Sequence, residues 1–402
     1  MSFNINAVVI NAITRALADY QNQLFRSPEQ ADKLKQKHAS ILKTASESLG
    51  FPQLRVKGVQ FILDLFPTFE RWGYWADYID VTEYAISNKL PTEQQIYLYA
   101  NLGHLHHLNQ NFHDSLHCLE QSLQLSENHQ SKDVLGLIHH RLMNTYIGLD
   151  QPKIAQEHGL QALALLDDTP SKTRASAYDS LGRIYTRLNN KAMAEKQFRD
   201  ALSLWEILED YTHMTRSYIN LGNMLWADGK LDDAKECFER ALATMGSLSN
   251  LQEELRIRNG LGIIQYATND FGSAVNTFQA AVNKLEQELG NSVGWYSMRG
   301  MLFQNLGNAL VAQRDIHQAL VALYKAKTYW QQANNNLQMA NTIGTIAEAY
   351  LVNKECETAV TTYDEALSLL ANYPDHPWAI KLTNDFSKAK KTCTDQLDNP
   401  EA

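Results

Sequence analysis

Small residues interrupt the apolar runs of this chain at a nearly fixed interval. An apolar residue followed by a small one occurs at Leu102-Gly103, Leu181-Gly182, Leu221-Gly222, Leu261-Gly262, Leu306-Gly307 and Ile346-Ala347, with Leu142-Met143 in the same register. The second members stand at 103, 143, 182, 222, 262, 307 and 347, giving steps of 40, 39, 40, 40, 45 and 40 residues. Each pair is answered downstream by a small–large–small trio: Ser115/Leu119/Ser122, Ala155/Gly159/Ala162, Ala194/Phe198/Ala201, Ala234/Phe238/Ala241, Ala274/Phe278/Ala281, Ala319/Leu323/Ala326 and Ala359/Tyr363/Ala366. A period of this size marks a stack of equivalent supersecondary units.

Each unit reads as two helices. In the third, Tyr178, Leu181, Gly182 and Tyr185 share one helical face and Ala194, Phe198 and Ala201 share another, with Asn189-Asn190 as the turn between them. Two antiparallel helices approach closely only where a side chain is nearly absent, which accounts for small residues at matched positions. The large residue then fills the space left between one pair and the next. A single pair cannot bury its apolar face alone, so neighbours must stack into a continuous core.

On these residues the array resembles tetratricopeptide repeats, in their longer forty-residue form. The likeness runs from Thr92 to Ala371, and Asn-Leu-Gly-Asn at 220–223 and 305–308 is typical of it. Met143, Gly159 and Gln265 depart from the pattern, where Gly, an aromatic and Tyr are usual. The resemblance implies an all-α fold, a right-handed superhelical solenoid of antiparallel helix pairs whose first helices line a concave face. It divides the chain into an N-terminal helical cap at 1–91, seven repeats at 92–371, and a capping helix with a short tail at 372–402.

The leading ninety or so residues have a different character. Asn6 to Phe25 reads as an amphipathic helix, and Ser27-Pro28-Glu29 as the start of a second that runs to Gly50. A third begins at Pro52 and carries Val59, Ile62, Leu63 and Phe66 up to Pro67. Residues 69–90 form two helical pieces about Gly73 and resemble the helix pair leading into the repeats of bacterial STAND-class signalling ATPases. That likeness implies the sensor half of such a protein without its motor. The region is either a cap shielding the first repeat or a separate partner-binding element. At the other end Pro374 and Pro377 close the last repeat, and Trp378 to Leu397, with Lys388, Lys390 and Lys391, reads as a solvated closing helix.

Composition narrows the function. A chain of 402 residues would ordinarily form two or three domains, but a solenoid core grows linearly and escapes that count. The formal net charge of −9 argues against general affinity for nucleic acid or an anionic membrane. Cys118, Cys237, Cys356 and Cys393 are far apart in sequence, which suits a reducing compartment better than a disulfide framework. The start MSFNINAVVINAITRAL is not a secretory signal, and no apolar run is long enough to span a bilayer. A cytoplasmic protein with no membrane association is expected.

Catalytic motifs are missing from the sequence. Gly260-Leu261-Gly262 is the repeat motif, with no Lys-Ser/Thr behind it, and there is no GxSxG elbow. Cys118 neighbours His117 without a third partner. His113-Asp114-Ser115-Leu116-His117 has metalloprotease spacing but Asp in place of Glu and no third ligand, and Ser115 is the packed small position, so both histidines should face solvent. His104, His106 and His107, with His139 and His140 one repeat on, could bind a metal or sense pH, and read more simply as polar contacts on a binding surface. No catalytic residue, metal or cofactor is assigned.

The register places His104, His107, His140, Arg141, Asn144, Arg183, Arg187, Arg216, Asn220, Asn223, Trp226 and Arg256 on the first-helix face of repeats one to five. Gln304, Asn305, Asn308, Thr345 and Glu348 continue it. Arg forks suit carboxylate or phosphate, Asn can hold an extended backbone, and Trp226 is an aromatic anchor. The alternative is that these Arg residues only solubilise the helices and pair with Glu and Asp across turns. A clamp for a chaperone's C-terminal carboxylate fits poorly: His140, Asn144 and Arg216 match loosely, and Ser180 and Asn220 replace other members. The 45-residue step brings in Gly290-Asn291-Ser292-Val293-Gly294-Trp295-Tyr296, whose aromatics serve either a partner or a longer helix.

The leading expectation is a non-enzymatic scaffold that binds an acidic protein segment in the groove. A regulatory sensor controlling a separately encoded protease, nuclease or ATPase is second, nucleic-acid binding through the Arg stripe third, and a metal-dependent enzyme last.

Overall fold

A computed structural model describes residues 5–24, 28–127, 131–246, 250–290 and 294–398. Among the described residues there is no strand, and no helix is long and apolar enough to cross a membrane. The chain forms two compact units, Met1–Leu208 and Glu209–Ala402, and within each the helices stack pairwise as in a solenoid.

The first unit opens with α1 (Ile5–Leu24), α2 (Pro28–Lys33), α3 (His38–Leu49), α4 (Pro52–Trp72) and α5 (Trp75–Ile86). Three helix pairs follow: α6 (Thr92–Leu108) with α7 (Phe112–Ser126), α8 (Lys132–Gly148) with α9 (Pro152–Leu165), and α10 (Lys172–Arg187) with α11 (Lys191–Ile207). The second unit holds four pairs: α12 (Tyr211–Ala227) with α13 (Leu231–Met245), α14 (Leu251–Ala267) with α15 (Phe271–Leu289), α16 (Tyr296–Ala312) with α17 (Ile316–Gln332), and α18 (Asn336–Val352) with α19 (Cys356–Leu370). The closing helix α20 (Pro377–Asp398) completes it.

The pairs close where the small residues predict. A Cβ placed on Gly182 would stand 2.6 Å from Cε1 of Phe198, and one on Gly307 would stand 2.5 Å from Cγ of Leu323. Phe238 is lodged between Gly222 of its own repeat and Gly260 of the next, where added Cβ atoms would lie 3.1 and 2.4 Å from its Cζ. The second repeat departs at two positions that compensate each other. Met143 on α8 is large where its equivalents are small, and Gly159 on α9 is small where its equivalents are large, so that a Cβ on Gly159 would meet Met143 Sδ at 2.7 Å. The contact needs one bulky and one absent side chain, and either helix can supply either.

The turn inside every pair is the same device. Gln110, Asp150, Asn189, Gly229, Asn269, Arg314 and Lys354 occupy the left-handed region at φ between 56° and 79°. In each repeat the amide of the following residue bonds a carbonyl in the last turn of the first helix, from Asn111 to His106 at 2.8 Å through Glu355 to Tyr350 at 2.9 Å. This wrap satisfies helix-end carbonyls that would otherwise lack a donor. The next helix opens at once, and at Asn190, Asp270 and Asp315 the side chain caps it by accepting an amide of the first turn.

The cap differs from the sequence expectation at two places. Pro67 does not end its helix: α4 continues to Trp72, because Phe66, Phe69 and Trp72 on either side of the proline are buried in the cap core. Packing there outweighs the backbone hydrogen bond that proline cannot make. The single helix expected up to Gly50 is broken by a 3-10 turn at Lys35–Lys37, a stretch that buries nothing and so has no packing to hold it in register. Ser27 lies outside the described residues, as do Asn291, Ser292 and Val293 of the long step. Trp295, at φ 56°, is exposed and Tyr296 opens α16 half-buried, while α15 extends to Leu289. The cysteines are all free, yet folding brings Cys356 and Cys393 into hydrogen-bonding contact, and Cys356 Sγ also lies 3.3 Å from Oε1 of Gln396.

The packing argument makes a quantitative statement. Gly262→Ala would put a Cβ 2.6 Å from the buried ring of Phe278, whereas Gly272→Ala, on the same helix pair, meets nothing within 4 Å. Gly262→Ala should lower stability by about 1–3 kcal/mol through overpacking, more than alanine's helix preference returns. Gly272→Ala should leave the urea midpoint, followed by circular dichroism, unchanged or slightly raised.

Candidate binding surface

In the first unit the face presented by α6, α8 and α10 is a cross-repeat polar network. Arg141 donates to Oδ1 of Asn101 at 3.0 Å, and Ser180 donates to Oδ1 of Asn144 at 2.9 Å while accepting from Arg183 at 3.1 Å. Because Oδ1 of Asn144 is taken by Ser180, its amide nitrogen faces Nε2 of His140 at 3.2 Å, which leaves that ring's proton on Nδ1. His104 Nε2 lies 2.8 Å from Oε1 of Glu70, a residue of α4 in the cap. The His104 ring also stacks on His107 at 6.4 Å, and His107 in turn packs on Phe112 at 5.6 Å.

These groups form one electrostatic cluster. Burial first, and then the charges of His104, Arg141, Arg183 and His107, hold His140 down at about 3. His107 is lowered to about 4 by burial, with His104 and Arg183 adding to it. Burial also lowers His104, outweighing its bond to Glu70. Arg183 is open to solvent yet walled by protein, which lowers its pKa, while Asp179 opposes the shift. Its bonded side-chain partner among the described residues is the Ser180 hydroxyl, which carries no charge. Nδ1 of His107 is buried without a hydrogen-bond partner. The result is a cluster of neutral imidazoles beside an exposed guanidinium with no carboxylate bonded to it among the described residues.

The remaining predicted residues are placed differently. Arg141 is a correction: its guanidinium is buried, bonded to Asn101 and laid over the Phe66 ring at 5.3 Å, so it supports the recess from beneath rather than lining it. Arg187 is held by the carbonyl of Ile147 at 3.2 Å and by Asp150 at 3.3 Å. His139 leaves the cluster and stacks with His158, on which Tyr146 also stacks, its Nδ1 2.9 Å from that of His158. His113 and His117 face solvent, and among the described residues no group of three or more His, Cys, Asp or Glu is arranged to hold a metal.

In the second unit, Arg216 and Arg256 both end on the buried Glu253, at 2.8 and 3.1 Å, so their charges are met internally. Asn220 is half-buried, Asn223 is exposed, and Trp226 stands 43% exposed. Asn305 donates to Asn259 at 2.7 Å. Gln304 is a second correction: it is buried, and its carbonyl accepts from both Trp330 and Thr342 at 2.9 Å, which makes it part of the core. Asn308, Thr345 and Glu348 remain on the face. Sequence reasoning missed Glu70, Glu253, Asn101 and Ser180 as partners of the predicted residues. The repeat register of Arg141 would have found Asn101 and Ser180, whereas nothing in the period points to Glu70.

With this geometry established, three comparisons bear on the chain. Family models described as tetratricopeptide repeat match residues 96–129, 174–213 and 213–287. No curated protein sequence matches it. Among solved structures it is similar to the apo form of RapI, at 12% identity and TM-score 0.61, over 85% of this chain and 99% of that one. It is also similar to a signal transduction ATPase with numerous domains from Pyrococcus horikoshii that has a tetratricopeptide repeat sensor, at 15% identity and TM-score 0.60, over 84% of this chain and 49% of that one. A Rap protein complexed with competence and sporulation factor is similar at 10% identity and TM-score 0.54, over 85% of this chain and 99% of that one. At these identities the likeness is one of fold.

Two outcomes follow for the first unit. Arg141→Ala should cost about 1–3 kcal/mol, because it strands the buried carbonyl of Asn101, while Arg183→Ala should stay within about 0.5 kcal/mol in the same urea titration. Stability should also fall with acidification. His107 and His140 are held at about 4 and about 3, below the ordinary value of 6.5, so the unfolded chain binds more protons between these limits. Their contribution is fully present above pH 6.5 and is lost as pH drops toward 4. A His107→Gln/His140→Gln variant should show a shallower pH slope of the urea midpoint over that window.

Proposed function

The chain is a tetratricopeptide-repeat protein, and from that premise we propose that it is a non-enzymatic adaptor whose first three repeats hold an acidic segment of a partner protein. The observation that carries this reading is Arg183, an exposed guanidinium whose side-chain partner among the described residues is a hydroxyl, in one cluster with His104, His107 and His140. A carboxylate seated there gains a guanidinium fork and sets an attractive charge against the burial and the lesser repulsion that keep the imidazoles neutral. Binding would then draw protons onto the histidines, so affinity should rise as pH falls below neutrality. A tetratricopeptide fold supports protein–protein interaction in general; the acidic partner and its seat on this face are the finer reading.

Nucleic acid is a weaker occupant. Arg187, Arg216 and Arg256 are bonded to carboxylates, so the stripe of cations that would follow a phosphate backbone is discontinuous. A sensor function could use the same recess. The fold similarity to a protein with a tetratricopeptide repeat sensor favours keeping it as the second reading, and ligand-dependent hydrogen-exchange protection away from the recess would distinguish it from a rigid adaptor.

The test is affinity capture from the native cell with wild type and Arg183→Glu side by side, read by quantitative mass spectrometry. Charge reversal should reduce the recovered partner by about tenfold or more, the ratio expected for loss of one charge-assisted contact. A partner retained equally by both proteins would move the site to the cap or to the second-helix face, and the charge argument would fail.

A further inference from the structure

The closing helix α20 is anchored unevenly along its length. Near its middle, Phe386 fills the space over Gly344 of α18 and leaves no room there for a Cβ, and Lys390 pairs with Asp364 of α19 at 2.5 Å. Beyond that point, from Lys391 to Leu397, every side chain is exposed except that of Cys393. Cys393 is fully buried, in one cluster with Ala347, Ala359 and Tyr363. The last two turns of the helix are therefore held to the core by a single thiol.

That thiol faces another. Cys356, the first residue of α19, is half-buried and packs against the same cluster. Its Sγ lies 3.3 Å from Oε1 of Gln396, which is three residues past Cys393 on the same face of α20. The two thiols are in hydrogen-bonding contact and both are free. Cys118 and Cys237 are buried in repeats that hold no second cysteine. A metal is a poor occupant of the pair, because two thiols fall short of the four ligands zinc takes, and among the described residues no group of three or more His, Cys, Asp or Glu is arranged to hold one.

Burial divides the roles of the two sulfurs. An oxidant arriving from water meets Cys356 first, while burial, with Cys356 adding to it, holds the Cys393 thiol above its usual range and keeps it protonated. We propose that Cys356 and Cys393 form a peroxide-responsive pair whose disulfide locks the end of α20 onto the last repeat. The Cys356 thiolate attacks one oxygen of hydrogen peroxide; an S–O bond forms, the O–O bond breaks, and the hydroxide released takes the thiol's proton as water. The Cys393 sulfur then attacks the resulting sulfenic acid. An S–S bond forms, the S–O bond breaks, and the departing hydroxide takes the Cys393 proton as a second water. Two thiols lose two electrons in all, and one peroxide is reduced to two waters. The bond ties the start of α19 to the end of α20, so the only buried anchor of that stretch becomes covalent.

The test treats the reduced full chain with hydrogen peroxide, alkylates the remaining thiols after denaturation, and maps peptides by mass spectrometry. Wild type should yield one linked pair, 356 with 393, with Cys118 and Cys237 still alkylated. Amide exchange over residues 391–397 should slow by about tenfold or more on oxidation and recover with dithiothreitol. Cys356→Ser should show neither effect, Cys393→Ser should leave a sulfenic acid on Cys356 that dimedone traps, and Cys118→Ser/Cys237→Ser should behave as wild type. Circular dichroism melts of the reduced proteins that match wild type establish that the variants are folded. Cys356 passing to sulfinic acid without a link, a link to another cysteine, or a 356–393 link formed as fast in denaturing urea as in the folded chain overturns the proposal.

Discussion

Everything in this molecule depends on how closely the two helices of a repeat can approach. Where Gly182 faces Phe198, or Gly307 faces Leu323, there is no room for even a methyl group. That approach fixes the rotation of the first helix about its own axis. Once the small residue points at its partner, the residues two before it and one after it must point the other way. In the first unit Asn101, Arg141 and Ser180 occupy the earlier of those registers, and His104, Asn144 and Arg183 the later. Packing therefore decides where chemistry can be displayed, and leaves free only what is displayed. The second repeat makes the point by exchange: Met143 and Gly159 trade sizes and the register survives.

A second constraint is charge pairing, and it works against reading function from the identity of a residue. Arg141, Arg183, Arg187, Arg216 and Arg256 all fall on or near the first-helix face, but four of them are occupied by the fold itself. Glu253 takes two, Asp150 takes one, and Asn101 with the Phe66 ring takes the buried one. Exposed pairs of this kind add little stability, but they remove the charge as a recognition element. Arg183 differs because the neighbour at bonding distance is a hydroxyl. The histidines around it add hydrogen-bonding capacity without adding charge until an anion arrives.

What could be read from the sequence follows from these two constraints. The solenoid, the seven turns and the matched small and large positions are periodic, and a repeated pattern averages away its own exceptions. Even Met143 and Gly159, which look like defects singly, are intelligible as a pair. The cap is not periodic, and there the local rules failed in opposite directions. Pro67 should have stopped a helix that buried aromatics on both sides carry through, and Lys35–Lys37 should have continued one that no burial supports. The recess was legible as a set of residues and illegible as a set of bonds. The counterions of the predicted residues come from positions such as Glu70 in the first unit and Glu253 in the second, and no spacing rule links Glu70 to His104 or Cys356 to Cys393.

The overall charge of −9 weighs against general affinity for nucleic acid or an anionic membrane, and it does not decide what a single seat on the surface attracts. Some of the carboxylates are spent as internal counterions, Glu253 on Arg216 and Arg256 and Asp150 on Arg187. Screening confines any single charge to about 8 Å at physiological ionic strength. A ligand seated in a walled recess responds to the few groups within that distance, not to the sum over the chain. By this measure the field at the first-unit face is set locally, by Arg183, Asp179 and the histidines held neutral beside them.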